Sequence, residues 1–212
     1  MDAFLTSSFG TFVMTLWQGG LSAPSWHTFT SLTYGWALAS GRQTITASLW
    51  GRGAAQAKHC SRSYAFVGGA LYHRRYQLWA RGIRCGASLV PADAGIAVRL
   101  DDATMQKTGR HIQGAAHSRN GAGTARQAYR TLWGITLVWA IMRLPFQRWP
   151  GHHLSGPIGL ELSVKETLAA TLKVPYRSRS ALARRLVDQV AATRPTRAMR
   201  VATDGGYATQ AF

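Results

Sequence analysis

Apolar and polar positions follow two different rhythms along this chain, and the change falls near residue 90. Before it the pattern is helical, with frequent breaks. In APSWHTFTSLTYGWALAS, Trp26, Phe29, Leu32, Thr33, Trp36 and Leu38 recur at a rough spacing of three to four, which predicts one helical face. Pro24 with Ser22 and Ser25 marks the start of this helix, and Gly41 its end. RQTITASLWGRG and then KHCSRSYAFVGGALYHRRYQLWARGI follow. Two short helical pieces separated by a Gly-containing turn resemble a helix-turn-helix. A small helical bundle packing its aromatics accounts for the same residues better. Core packing is likewise the better reading of the early Trp and Tyr residues than stacking on bases.

From Pro91 onward the rhythm changes. AGIAVRL, 94–100, is a short apolar run ending in Asp101 and Asp102, which suits a buried strand. Residues 103–130 are polar, Gly-rich and basic, and predict a loop or a short hairpin. GITLVWAIMRLP, 134–145, reads as a central strand, and HLSGPIGLELSV, 153–164, as its hairpin partner across a turn from Pro145 to Gly151. SRSALARRLVDQVAAT, 178–193, repeats Leu182, Leu186 and Val190 at intervals of four, with a serine cap before it and Arg194–Pro195 after it. RAMRVAT, 197–203, is a final short strand that ends at Asp204. Strand, hairpin, helix and strand in that order predict a mixed α/β domain with a central sheet over 91–212, preceded by a helical region over 1–90.

Composition narrows the class. Of 212 residues, 46% are hydrophobic, enough to bury a core, so wholesale disorder is not expected. Cys60 and Cys85 are the only cysteines, which argues against a disulfide scaffold. The opening MDAFLTSSFG lacks the positive n-region of a secretory signal, and the apolar run Trp133–Met142 is shorter than the roughly 20 residues of a spanning helix. A reducing cytoplasm is the expected compartment. Lys and Arg number 25 against 8 Asp and Glu, a net charge of +17. A surplus of this size points to a polyanion, foremost nucleic acid. A GC-rich genome that favours Arg over Lys is the alternative source.

With so few acids, each one can be weighed. Asp188 sits among arginines on the last helix, as a surface salt-bridge partner. Asp101, Asp102 and Asp204 each follow an apolar strand. If those strands are parallel neighbours, the acids converge at one edge of the sheet. Converging carboxylates in a basic protein suit Mg²⁺ or Mn²⁺, with a substrate phosphate completing the coordination. The alternative is that these acids only occupy turns. Cys60 beside His59 has no partner at zinc-like spacing. GAGTAR, 121–126, lacks the spacing of a phosphate-binding loop.

LDDATMQKTGRHI, then WGITLVWAIMRLP, then a helix and VATDGGYA together resemble the DDE transposases of bacterial insertion sequences. The closest likeness is to the subgroup with an Asp-Asp-x-Thr motif followed by a basic Gly-Arg stretch. FTSLTYGWALASGRQTITASLW and KHCSRSYAFV resemble the helical leader of that subgroup, so the likeness runs from about residue 20 to the end. It implies a ribonuclease H-like fold with the first acid on the first strand and the second on the fourth. Asp102, two before Thr104, matches the first catalytic acid, with Asp101 as its neighbour, and Asp204 matches the second. The implied cofactor is Mg²⁺ or Mn²⁺, and the implied chemistry is phosphodiester hydrolysis and strand transfer. The implied partners are transposon-end and target DNA, near the nucleoid, with a homodimer in the intact family. Lys107, Arg110, Arg119, Arg126, Arg130, Arg177, Arg184 and Arg185 are the candidate DNA contacts.

The family carries a third acid, a Glu on a later helix. No acid follows Asp204 here, and Glu161 and Glu166 precede the helix. The expectation is a transposase fragment whose ribonuclease H-like domain is incomplete and which does not transpose alone. The alternative is a non-catalytic basic nucleic-acid-binding protein whose acids are structural.

Overall fold

A computed structural model describes residues 20–41, 44–51, 53, 60–109, 111–119, 131–145, 152–204 and 207, the side chains of 70–74 and 119 excepted. Two compact units divide the chain, Met1–Gly82 and Ile83–Phe212.

In the first unit, helix α1 spans Ala23–Leu38 and α2 spans Ile45–Gly51. Ser22 stands at the N-cap of α1 in extended conformation, its hydroxyl donating to the Ser25 hydroxyl rather than capping a backbone N–H, with Pro24 in the first turn where a missing N–H costs nothing. Hydroxyls of Thr28, Ser31 and Thr33 return to carbonyls one turn back, so these polar residues stay within the helix. Leu21, Leu32, Leu49 and Phe66 form the core, with Trp26 and Phe29 packed against it. The buried face of α1 continues at Gly35, while Trp36 and Leu38 are exposed. The predicted stripe therefore drifts off the core in its last turn. The cause is a close approach of backbones, because a Cβ at Gly35 would overlap the carbonyl oxygen of Ser48. The Ser48 hydroxyl, fully buried, donates to the Leu32 carbonyl at 2.7 Å.

Helix α3, Cys60–Ala65, passes through a π-helical stretch, Phe66–Leu71, into α4, Tyr72–Ser88. The breaks expected in this region are absent, and Gly68 and Gly69 are wound into the helical run. A π turn absorbs an extra residue without ending a helix.

The second unit is built on a five-stranded sheet. Its strands are β1 Ile96–Gln106, β2 Ala116–Arg119, β3 Thr131–Pro145, β4 His153–Ser163 and β5 Met199–Ala202. The path runs β2-β3-β1-β5, and β4 also pairs with β3. The sheet is thus mixed, with β1, β2 and β4 antiparallel to β3, and β5 parallel to β1. Helix α5, Glu166–Ala169, and helix α6, Arg179–Thr193, lie between β4 and β5 in sequence. A parallel neighbour needs such a crossover. Val98, Leu100, Val138, Ala140 and Met142 bury one sheet face with Leu182, Ala183, Leu186 and Val190 of α6. Arg197 fastens the start of β5 to the start of β1, its Nη2 donating to the carbonyls of Pro91 and Ala94 at 2.7 and 2.6 Å.

Two boundaries differ from the sequence reading. Strand β1 does not stop at Leu100 but runs through Asp101 and Asp102 to Gln106. Strand β3 is long enough to supply partners as far as the Gln106–Gly134 pair, and cross-strand pairing outweighs the weak strand preference of Asp. Part of the predicted loop is a short strand, β2, bonded to the start of β3. Among the described residues no helix is long and apolar enough to cross a membrane.

Leu186 is 1% exposed at the centre of the core. Leu186→Ala is expected to lower unfolding free energy by about 2–5 kcal/mol in a denaturant titration. Leu162→Ala, at a position 40% exposed, should change it far less.

Candidate functional site

The buried face of β1 turns polar at one position. Ile96, Val98 and Leu100 are apolar and buried, and the next two residues on that face are Asp102 and Thr104. Strand alternation puts an Asp-x-Thr pair on one side, so the spacing of the motif is a consequence of pleating. Asp102 stands opposite Val138 and Thr104 opposite Thr136. The Thr104 and Thr136 hydroxyls lie 2.9 Å apart, and Thr136 Oγ1 donates to Ser118 Oγ at 3.2 Å.

Both oxygens of Asp102 are engaged. Arg179 Nη1 donates to Oδ2 at 2.9 Å, and the Tyr207 hydroxyl donates to Oδ1 at 3.0 Å. Arg179 is set in place by the start of α6, where the Ser178 side chain accepts the Ala181 N–H. Tyr207 is buried, and its own N–H donates to the Asp204 carbonyl at 3.2 Å. Tyr207 therefore bonds both the Asp204 carbonyl and the Asp102 carboxylate. Burial pushes the Tyr207 hydroxyl well above its usual range, as do the Asp102 charge and hydrogen bond, with the Asp204 charge a smaller contribution. It stays protonated and donates.

Asp204 is exposed and lies two residues beyond Ala202, the partner of Arg99. That register brings its backbone level with Asp101 on the adjacent parallel strand, one residue short of Asp102. Asp101 belongs to the opposite sheet face and accepts the Asp102 N–H at 2.9 Å, so it does not share the Asp102 side of the strand. Glu161 is buried on the Asp102 face, as the partner of Val138 on β4. It is about 10 Å from Asp102 by strand spacing and meets Arg185 Nε at 3.6 Å. Among the described residues no group of three His, Cys, Asp or Glu is placed to hold a metal ion.

A polar cleft of about 310 Å³ runs along this face past Ser118, Thr136 and Ser163 to Lys165, Arg177 and Arg179. Its hydroxyls and three cations suit an anionic ligand, with Glu166 the one acid in the described lining. Lys165, which the sequence reading did not select, belongs to it. Only its position just past the end of β4 could have drawn attention to it.

Of the remaining candidate DNA contacts, the described ones, Lys107, Arg184 and Arg185, do not line it. Lys107 follows β1, and its N–H donates to the Trp133 carbonyl. The Trp133 indole N–H donates in turn to the Gly109 carbonyl at 2.9 Å, holding the Lys-Thr-Gly stretch beside β3. Arg184 is exposed on α6, and Arg185 is occupied by Glu161. Arg110, Arg126, Arg130 and the Arg119 side chain lie outside the described residues. Asp188 is exposed, with no ion pair among the described residues, so the expected salt bridge is not found.

Comparison with protein families, curated proteins and solved structures finds no match to this chain.

Tyr207→Phe is expected to cost about 1 kcal/mol of stability. The double-mutant cycle with Asp102→Asn should show coupling of about 0.5–3 kcal/mol. Additive effects in denaturant titrations would sink the assignment of this hydrogen bond.

Proposed function

We propose that residues 91–212 form a partial ribonuclease H-like domain of a DDE transposase, acting on DNA with a divalent cation held by Asp102 and Asp204. One observation carries the reading. Asp102 on β1 and Asp204 just past β5 stand on parallel neighbouring strands, joined through Tyr207. The parallel pairing of β1 with β5 supports this reading, with Asp102 on the first strand and Asp204 two residues past the fifth, where the resemblance implies the fourth.

The donor chemistry fits a hard cation, since Mg²⁺ and Mn²⁺ take one or two carboxylates and leave positions for phosphate oxygens. The Arg179 guanidinium against Asp102 also marks a spot where positive charge is favoured. When bound, the ion supplies activation of a water or sugar hydroxyl and stabilisation of the leaving oxygen. The chain's own residues do the rest. Lys165 and Arg177 hold the phosphate backbone in the cleft, Tyr207 orients Asp102, and Arg179 yields Asp102 to the cation. With two acids, the site is expected to bind metal and DNA without sustained strand transfer by this chain alone.

A second reading has its own support. Both Asp102 oxygens are satisfied by protein donors, as in an acid whose role is structural. Under that reading the protein binds nucleic acid without metal. Mn²⁺ binding followed by electron paramagnetic resonance separates the two. The transposase reading expects binding that is lost in Asp102→Asn, weakened in Asp204→Asn and strengthened severalfold in Arg179→Gln. Mn²⁺ binding indifferent to all three substitutions would leave only the second reading.

A further inference from the structure

The sheet has a second face, turned away from α6, and its residues follow from the register. Ala97 pairs with Arg200 and Arg99 with Ala202. Arg99 also pairs with Ile141, and Arg143 with Ser155. Arg143 is one residue beyond Met142, the partner of Val98, so it stands level with Ala97. One row across the sheet therefore reads Ser155, Arg143, Ala97, Arg200, and the next holds Ile141, Arg99 and Ala202. By strand spacing, Arg143 and Arg200 are about 10 Å apart at Cα, with Arg99 about 8 Å from each.

All three arginines are exposed. None has a carboxylate partner among the described residues. They line a trough of about 530 Å³ whose floor is Ala97, Ile141 and Ala202, whose rim carries Ser155 and His153, and whose described lining contains no acid. Three guanidinium groups from three adjacent strands on a rigid floor form a concentrated positive field. Arginine's planar fork matches phosphate oxygens two at a time.

We propose that this face binds the phosphodiester backbone of a nucleic acid through Arg99, Arg143 and Arg200. It is a contact surface separate from Asp102 and its cleft. The partner class rests on the nucleic-acid reading above; the surface needs neither the metal nor the acids. The net charge of +17 favours a nucleic acid over an acidic protein segment as the occupant.

The test is fluorescence anisotropy of a labelled random-sequence DNA duplex with the full chain, in EDTA, across a salt series. Arg143→Gln with Arg200→Gln is expected to weaken binding at least tenfold at low salt. It should also lower the slope of log affinity against log salt by about 2, close to 0.9 for each lost phosphate contact. Arg62→Gln with Lys173→Gln removes equal charge from exposed positions elsewhere and should change the slope by far less. In EDTA no divalent cation is held, and the metal reading is tested apart by Mn²⁺ binding, so failure of the metal reading and failure of this one are separate results. Should the double variant not fold, arginine-selective labelling of the unmodified chain is the second measurement, with DNA expected to protect Arg143 and Arg200. Equal losses from the two pairs, absence of protection, or displacement of the DNA by polyglutamate at equal charge concentration would each overturn the proposal.

Discussion

The parallel pairing of β1 with β5 is the contact on which the second unit turns. Four residue pairs, from Ile96–Met199 to Arg99–Ala202, join segments about a hundred positions apart. Between them in sequence lie β3, β4 and α6, the crossover that a parallel pair requires. Arg197 reinforces the junction from the backbone side, bonding two carbonyls ahead of β1. Without the ladder, Asp204 has no fixed relation to Asp102 and Tyr207 has no reason to turn inward. The site therefore depends on the pairing of β5 with β1.

Much of this fold was legible in the sequence. Strands β3 and β4 and helix α6 appear nearly where apolar runs and a serine cap predict them, because their cores are long and cleanly bounded. Strand β1 runs further than its apolar run predicts, since its second half carries Asp101, Asp102, Thr104 and Gln106 and is held by pairing with β3 rather than by its own composition. The helical run through Gly68–Gly69 was hidden for the opposite reason. Paired glycines signal a break, and only the neighbouring turns keep them wound.

The site was legible in part. Asp102 and Thr104 were identified by motif, and the pleat explains why they sit on one side. The pairing of Arg179 with Asp102 depends on where α6 begins in space, which no local pattern states. Asp101 was grouped with Asp102 by adjacency, while strand alternation sends it to the other face. Arg185 was taken for a phosphate contact, yet it answers Glu161, a buried acid two strands from Asp102. Pairings of this kind across the sheet leave no trace in spacing along the chain.

The serine cap of α6 has a geometric consequence. Each residue added to or removed from the segment ahead of the helix, with the cap kept in place, leaves Arg179 where it is. Moving the cap by one position instead swings whatever occupies the first helical residue through about 100°. The approach of Arg179 to Asp102 is thus set by the phase of the first turn, while Lys165 and Arg177 on the same segment line the cleft and tie its course to that face.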